Sequence, residues 1–300
     1  MTPPVASVRG IAKRFDKVEA FDDVSFGLHE NRIHGLLGRN GAGKTTLMQI
    51  LTGLVWQDRG EVEVFGAGPF ENATVLRDIC FVKESQKYPD EFTVDQVLTA
   101  AAHLQRRWDQ SYANALVTDF DLPRGRKVKK LSRGMTSALG IVVGLASRAP
   151  LTLFDEPYLG LDAVSRQMFY DRLLEDFAEN PRTVVLSTHL IDEVADLIDR
   201  VIVIDDGTVV VDDDAEDLRG RAVTVSGAAQ SVERVVANYA VLHTESFGAM
   251  TRSTIVGTLS DTDVIDARTA GLTLEPVSLQ QFVVSCTSKH KTDQRKEVAS

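Results

Sequence analysis

Apolar residues change their spacing several times along this chain, and the changes mark its elements. Over 5–11 and 21–29, β-branched and aromatic residues dominate on either side of the polar stretch 13–19, which predicts two paired strands. A short apolar strand at 33–37 runs into a glycine-rich turn at 38–43. Leu47, Ile50, Leu51 and Leu54 then recur at helical spacing, and Gly53 stands where a C-terminal cap is expected. Residues 61–65 and 79–82 read as further strands.

From about 93 to 135 the pattern turns helical and polar, which predicts a helical subdomain inserted at about 90–140. A core then resumes with a helix at 135–147, a strand at 151–154, a helix at 163–177, a strand at 183–187 and a helix at 190–199. A hairpin follows over 201–211, turning at Asp205-Asp206-Gly207. Strands alternating with helices predict a mostly parallel α/β sheet covered on both faces. The first domain is placed at 1–215, closed by Asp212-Asp213-Asp214. Short alternating pieces such as 222–226 and 254–259 predict a small α+β accessory domain at 221–287, followed by a polar tail at 288–300. No internal repeat is visible, so one copy of the main unit is expected.

Composition narrows the classes. A chain of 300 residues, 43% hydrophobic and 25% charged, has the balance of a folded domain with a small appendage. Its net charge of -10 argues against nucleic acid as a partner and against attraction to anionic lipid. The two cysteines, Cys80 and Cys286, build neither a disulfide framework nor a zinc site, and Cys80 is expected as a buried thiol. The longest apolar run, near 138–146, is too short to cross a bilayer, and the first ten residues lack the pattern of a secretory leader. A reducing cytoplasm is the expected setting.

Two stretches carry chemistry. Gly38-Arg39-Asn40-Gly41-Ala42-Gly43-Lys44-Thr45 fits the phosphate-binding pattern G-x-x-x-x-G-K-S/T, after an apolar strand and before a helix. Such a loop points backbone N–H groups at a phosphate chain where a helix begins. Lys44 is expected on the β- and γ-phosphates, Thr45 on Mg²⁺ and Thr46 on the α-phosphate. Leu151-Thr152-Leu153-Phe154-Asp155-Glu156 is an apolar strand delivering two acids to the carboxyl edge of the sheet. Asp155 is expected to hold Mg²⁺, and Glu156 to polarise an attacking water.

Further motifs make a family resemblance specific. Leu131-Ser132-Arg133-Gly134-Met135 resembles the ATP-binding cassette (ABC) signature, usually Leu-Ser-Gly-Gly-Gln. Leu159-Gly160-Leu161-Asp162 resembles the D-loop of that family, and Ser187-Thr188-His189 its switch histidine. The elements occur in the family's order over 5–211, about two-thirds of the chain. The resemblance implies a P-loop NTPase (RecA-like) core with an N-terminal antiparallel β subdomain, and a head-to-tail dimer burying two ATP molecules. In it, Ser132 and the Gly134 backbone would contact the γ-phosphate held by a second cassette, His189 would contact it within its own subunit, and Asp162 would report across the dimer interface. Lys13-Arg14-Phe15 matches the context in which an aromatic ring stacks on adenine. Arg133 and Met135 depart from the signature. In the Q-loop, alignment puts Glu84 at the metal-facing position where glutamine is usual, with Gln86 two residues on as the alternative.

The same resemblance implies an ATPase motor at the cytoplasmic face of a membrane, held there by a separate transmembrane permease subunit. Leu274-Glu275-Pro276-Val277-Ser278-Leu279-Gln280-Gln281-Phe282 resembles the C-terminal segment of bacterial exporter cassettes, so export is expected. The alternative is a soluble ABC ATPase unconnected with transport. The segment 84–107, with Tyr88, Phe92, Val94, Val97 and Leu98, is the expected groove for the permease.

Overall fold

The structure, a computed structural model, describes residues 4–16, 18–84, 86–219 and 222–287. Strands β1 (Ala6–Phe15) and β2 (Val18–Leu28) form an antiparallel pair. β3 (Ile33–Leu37) leads into helix α1 (Lys44–Leu51), and β4 (Arg59–Val64) returns to pair with β1. The short α2 (Ala73–Leu76) and β5 (Ile79–Val82) precede two helices, α3 (Val94–Leu104) and α4 (Gln110–Asp119). Then come α5 (Arg133–Ala146), β6 (Leu151–Asp155), α6 (Ala163–Glu179), β7 (Thr183–Thr188) and α7 (Ile191–Val194). The hairpin β8 (Arg200–Asp205) and β9 (Thr208–Asp214) and the short α8 (Ala215–Leu218) follow.

The central sheet has the order β5-β6-β7-β3-β8-β9, parallel except for β9. Every residue of β3, β6 and β7 is buried, their few polar side chains included, because both faces of the sheet are covered, and this is why the strands are mostly apolar rather than alternating. On one face, Leu36, Leu151, Leu153 and Val185 pack with Leu47 and Met48 of α1 and with Phe21 and Val24 of the β2-β1-β4 sheet. On the other, Leu37, Phe154, Val184 and Leu186 pack with Leu139, Val142 and Leu145 of α5 and with Phe169 and Leu173 of α6. This is the α/β core expected from the sequence, with the antiparallel sheet at its N-terminal side. The β8–β9 turn has positive φ at Asp206 (46°) and Gly207 (75°), the type I′ geometry that suits a two-residue hairpin.

Two expectations for the main body change. The helix expected over 190–199 is only α7, Ile191–Val194. The chain must return to β3: the Asp199 N–H donates to Ile33 O (2.9 Å), and Asp199 Oδ2 accepts from the Ile33 N–H (2.8 Å). Those two bonds end the helix early. The residues expected to line an open groove behave differently as well. Val94, Val97 and Leu98 are 0%, 4% and 2% exposed, because α3, started by a capping box between Thr93 and Gln96, lays its apolar face on the α5 cluster. Phe92 stays on the surface. Cys80 is buried, as expected, and burial pushes its thiol up to about 11.

The C-terminal part is a β-α-β-β-α-β unit: β10 (Ala222–Ala228), α9 (Ala229–Val236), β11 (Ala240–Phe247), β12 (Met250–Val256), α10 (Asp261–Thr269) and β13 (Thr273–Pro276). Its antiparallel order, β11-β12-β10-β13, is the ferredoxin-like arrangement. The strand expected at 254–259 runs instead over Met250–Val256, and Gly257 with φ 104° turns the chain out of the ladder. Val225, Val232, Val236, Ile255 and Leu272 form its small core. A following helix at 279–287 buries Leu279, Phe282 and Val283 against Ala215 and Leu218, tying this unit to the main body. The tail at 288–300 lies outside the described residues.

Candidate functional site

The glycine-rich loop leaves the carboxyl end of β3 and ends at the first residue of α1. At Gly38 (φ 150°) an added Cβ would lie 2.2 Å from Ile204 O, and at Gly43 (φ 100°) it would lie 2.4 Å from Phe21 Cε1. Gly43 therefore needs both a left-handed backbone and the missing side chain. Lys44 begins α1, and its ammonium curls back to donate to Gly38 O (2.8 Å) and Arg39 O (3.1 Å). Burial lowers its pKa, while the charges of Glu156 and Asp155 oppose that shift.

The parallel register aligns Asp155 with Ser187 and Leu37 with Thr188, so the ends of β6, β7 and β3 lie side by side. Asp155 is 1% exposed, and both its oxygens are engaged. Oδ2 accepts from Thr45 Oγ1 (2.7 Å), and Oδ1 accepts from Ser187 Oγ (2.6 Å). Glu156 follows with φ 47°, an unusual value for a side-chain-bearing residue, and its N–H donates to Ser187 Oγ (3.2 Å). One oxygen of its carboxylate, Oε1, lies 4.0 Å from Lys44 Nζ. The other, Oε2, is 2.8 Å from His189 Nδ1 and is hydrogen-bonded by Tyr158 Oη.

Asn40, Gly41, Gly43, Lys44, Thr45, Thr46, Glu84, Asp155, Glu156 and His189, all singled out from the sequence, line one cavity of about 600 Å³. Arg133 and Leu159 complete its wall. Gly38 and Ala42 shape the loop without lining the cavity. Phe15, Ser132, Gly134 and Asp162 lie outside the lining too. Phe15 is 43% exposed, with Lys13 Nζ 5.2 Å from its ring centroid. Ser132 caps α5, accepting from the Met135 N–H (3.2 Å), and Gly134 packs so closely on Gly160 that a Cβ would lie 2.5 Å from its carbonyl oxygen. Asp162 caps α6, and the Ser165 N–H holds its carboxyl below the usual range. Gln86 lines an adjoining cavity of about 340 Å³, not this one.

Sequence reasoning missed Tyr158, Thr188 and Ser187 as members of the site. Ser187 and Thr188 stood within a recognised motif, but their partners come from the neighbouring strand. Tyr158 offered only an aromatic two residues after an acid.

Among the described residues, no group of three or more His, Cys, Asp or Glu is placed to hold a metal ion unaided. Thr45 and Asp155 instead supply a hydroxyl and a carboxylate in contact, hard oxygen donors that suit a Mg²⁺ completing its shell with phosphate oxygens and water.

The model of the ABC transporter family matches residues 21–159. The ABC transporter ATP-binding protein YtrB of Bacillus subtilis is 28% identical over 187 residues, 62% of this chain and 64% of that protein. The uncharacterised ABC transporter ATP-binding protein MJ1023 of Methanocaldococcus jannaschii is 31% identical over 198 residues, 64% of this chain and 70% of that protein. Among solved structures, an ATP-binding subunit of an ABC transporter superposes with TM-score 0.65 at 24% identity, covering 72% of this chain and 92% of that one. The dimeric bacterial ABC transporter cassette MJ0796 superposes with TM-score 0.63 at 22% identity, covering 70% and 98%. The chain belongs to the ATP-binding cassette family of ABC transporters, and it spans a little under two thirds of the length of the first of these relatives. No described helix is long and apolar enough to cross a membrane.

Proposed function

We propose that this chain hydrolyses ATP with Mg²⁺ and thereby drives a separate membrane permease. One observation supports this above the others: Lys44, Thr45, Asp155, Glu156 and His189, drawn from three adjacent strand ends, face a single cavity. Within it, Glu156 Oε1 faces the Lys44 ammonium at 4.0 Å, while Oε2 is hydrogen-bonded by Tyr158 and His189. That arrangement suits a group that accepts a hydrogen bond from water aimed at the γ-phosphate. Lys44 would leave its loop carbonyls for the β- and γ-phosphates, and His189 would steady the γ-phosphate from the side. Thr45, Asp155 and Glu84 would hold the Mg²⁺, whose charge neutralises the phosphates. Glu84 lines the nucleotide cavity and Gln86 does not, which supports Glu84 in this role.

Ser132 and Gly134 stand outside their own chain's cavity at the N-terminal end of α5. A serine at a helix N-terminus suits an anion, and the position supports action on ATP held by a second, head-to-tail cassette. Asp162 would lie at that interface, and Phe15, exposed at the end of β1, would take the adenine. Recruitment by a permease would place the chain peripherally at the cytoplasmic face. Export is the proposed direction, on the resemblance of the segment around Leu274 and Phe282 to exporter cassettes.

Glu156→Gln tests this reading. It keeps the side-chain shape and should leave ATP binding intact while lowering hydrolysis at least 100-fold. Hydrolysis at the wild-type rate would remove Glu156 from the reaction.

A further inference from the structure

We infer that Tyr158 is a positioning residue whose hydroxyl fixes Glu156 and joins it to the switch segment, a role that rests on Glu156 being the group that polarises water. Tyr158 follows Pro157 just past the end of β6 and is 2% exposed. Its Oη meets three partners. It bonds Glu156 Oε2, lies 2.7 Å from Thr188 Oγ1 and 3.3 Å from His189 Nδ1, and accepts the His189 backbone N–H at 3.2 Å.

Counting protons fixes the direction of each bond. A phenol and a threonine hydroxyl each have one proton to donate. The Glu156 carboxylate is an acceptor, so the phenolic proton goes to Oε2. The contact between Tyr158 and Thr188 must then use the Thr188 proton, donated to Oη. Thr188 Oγ1 in turn accepts the Leu190 N–H at 2.8 Å. The chain of donors thus runs from the start of the α7 turn, through Thr188 and Tyr158, to Glu156. His189 Nδ1 donates to the same Oε2 at 2.8 Å. Two donors therefore converge on one carboxylate oxygen, and the other is left for the cavity. Burial, followed by the bond to Glu156, pushes the phenol far above its ordinary value, so its proton is present at every usable pH.

The consequence is mechanical as well as electrostatic. Glutamate has three rotatable side-chain bonds, and a base acts well only when its oxygen is aimed. Here the aim is set from the end of β7, the strand that His189 directly follows. A shift of the switch segment on meeting a γ-phosphate would be passed to Glu156 through the hydroxyl at position 158.

Tyr158→Phe removes that hydroxyl and keeps the ring. In the full chain, kcat for ATP should fall at least tenfold, with ATP affinity within twofold of wild type. In a Glu156→Gln background the same change should cost no further residual activity, because the group it positions is already gone; a merely structural loss would add. Should Tyr158→Phe not fold, Thr188→Val carries the test, with a kcat loss of at least threefold at unchanged ATP affinity. A wild-type kcat in Tyr158→Phe beside an inactive Glu156→Gln overturns the positioning role and spares the reading of Glu156. A fully active Glu156→Gln overturns both.

Discussion

Arg133 Nη2 lies 3.4 Å from Glu84 Oε1, joining the start of α5 to the loop after β5 across 49 positions of sequence. These are two of the places where the chain departs from its family's usual motifs, a glycine replaced in the signature and a glutamine replaced in the Q-loop. The departures meet each other. An arginine in the first turn of a helix opposes the helix dipole, and a facing carboxylate offsets that cost. The pair also stands at the cavity wall, so its opening would accompany any turn of Glu84 toward a metal.

Removing the arginine should loosen the Q-loop without harming the fold. The side chains are 70% and 46% exposed, and exposed pairs contribute about 0–1 kcal/mol. Arg133→Gly should therefore shift urea unfolding by no more than about 2 kcal/mol, glycine within a helical turn included. Amide exchange flanking Glu84 should quicken. An unfolding loss well above that size, or unchanged exchange, would show that the contact does not restrain the loop.

Lys44→Ala should weaken nucleotide binding. The ammonium is 6% exposed and already hydrogen-bonded within the loop that would cradle phosphate. Hydrogen bonds to charged groups contribute about 1.5–3 kcal/mol, and each 1.4 kcal/mol is tenfold in Kd, so a loss of about tenfold to 100-fold is expected by calorimetric titration with ATP. Wild-type affinity would show that the loop binds without it.

Acid should destabilise the chain through His34. Burial holds its imidazole down at about 4, against an ordinary value of 6.5, with His29, Arg200 and Arg32 contributing like charge and the His29 carbonyl opposing. The folded state thus resists the protonation that the unfolded chain accepts. The stability is fully present above about pH 6.5 and is lost as pH falls from there toward 4. The contribution at stake is about 3 kcal/mol by linkage, at 1.36 kcal/mol per pKa unit. His34→Gln should flatten urea-unfolding stability over that window, whatever its absolute cost. An equally steep decline in the variant would place the acid sensitivity elsewhere.

Much of the site was legible because its chemistry is local in sequence. The loop from Gly38 to Thr45 has to be contiguous if consecutive N–H groups are to wrap one phosphate chain, and Asp155-Glu156 must end an apolar strand to reach the sheet edge. The parallel core followed from alternation of strands and helices. The apolar residues Val94, Val97 and Leu98 were visible along the chain and suggested an open groove, but what covers them was not visible; α5 does, and it buries them. The length of α7 was decided by Asp199 bonding to Ile33, a pairing between distant segments. The same limit applies to function. Tyr158 reaches Thr188 and His189 only because β6 lies beside β7, and Arg133 reaches Glu84 only because α5 begins beside the exit of β5. Residues that act through the backbone of their own segment leave a pattern along the chain. Residues that act by meeting a side chain from another strand leave none, because the sheet order that joins them is settled by packing the whole core.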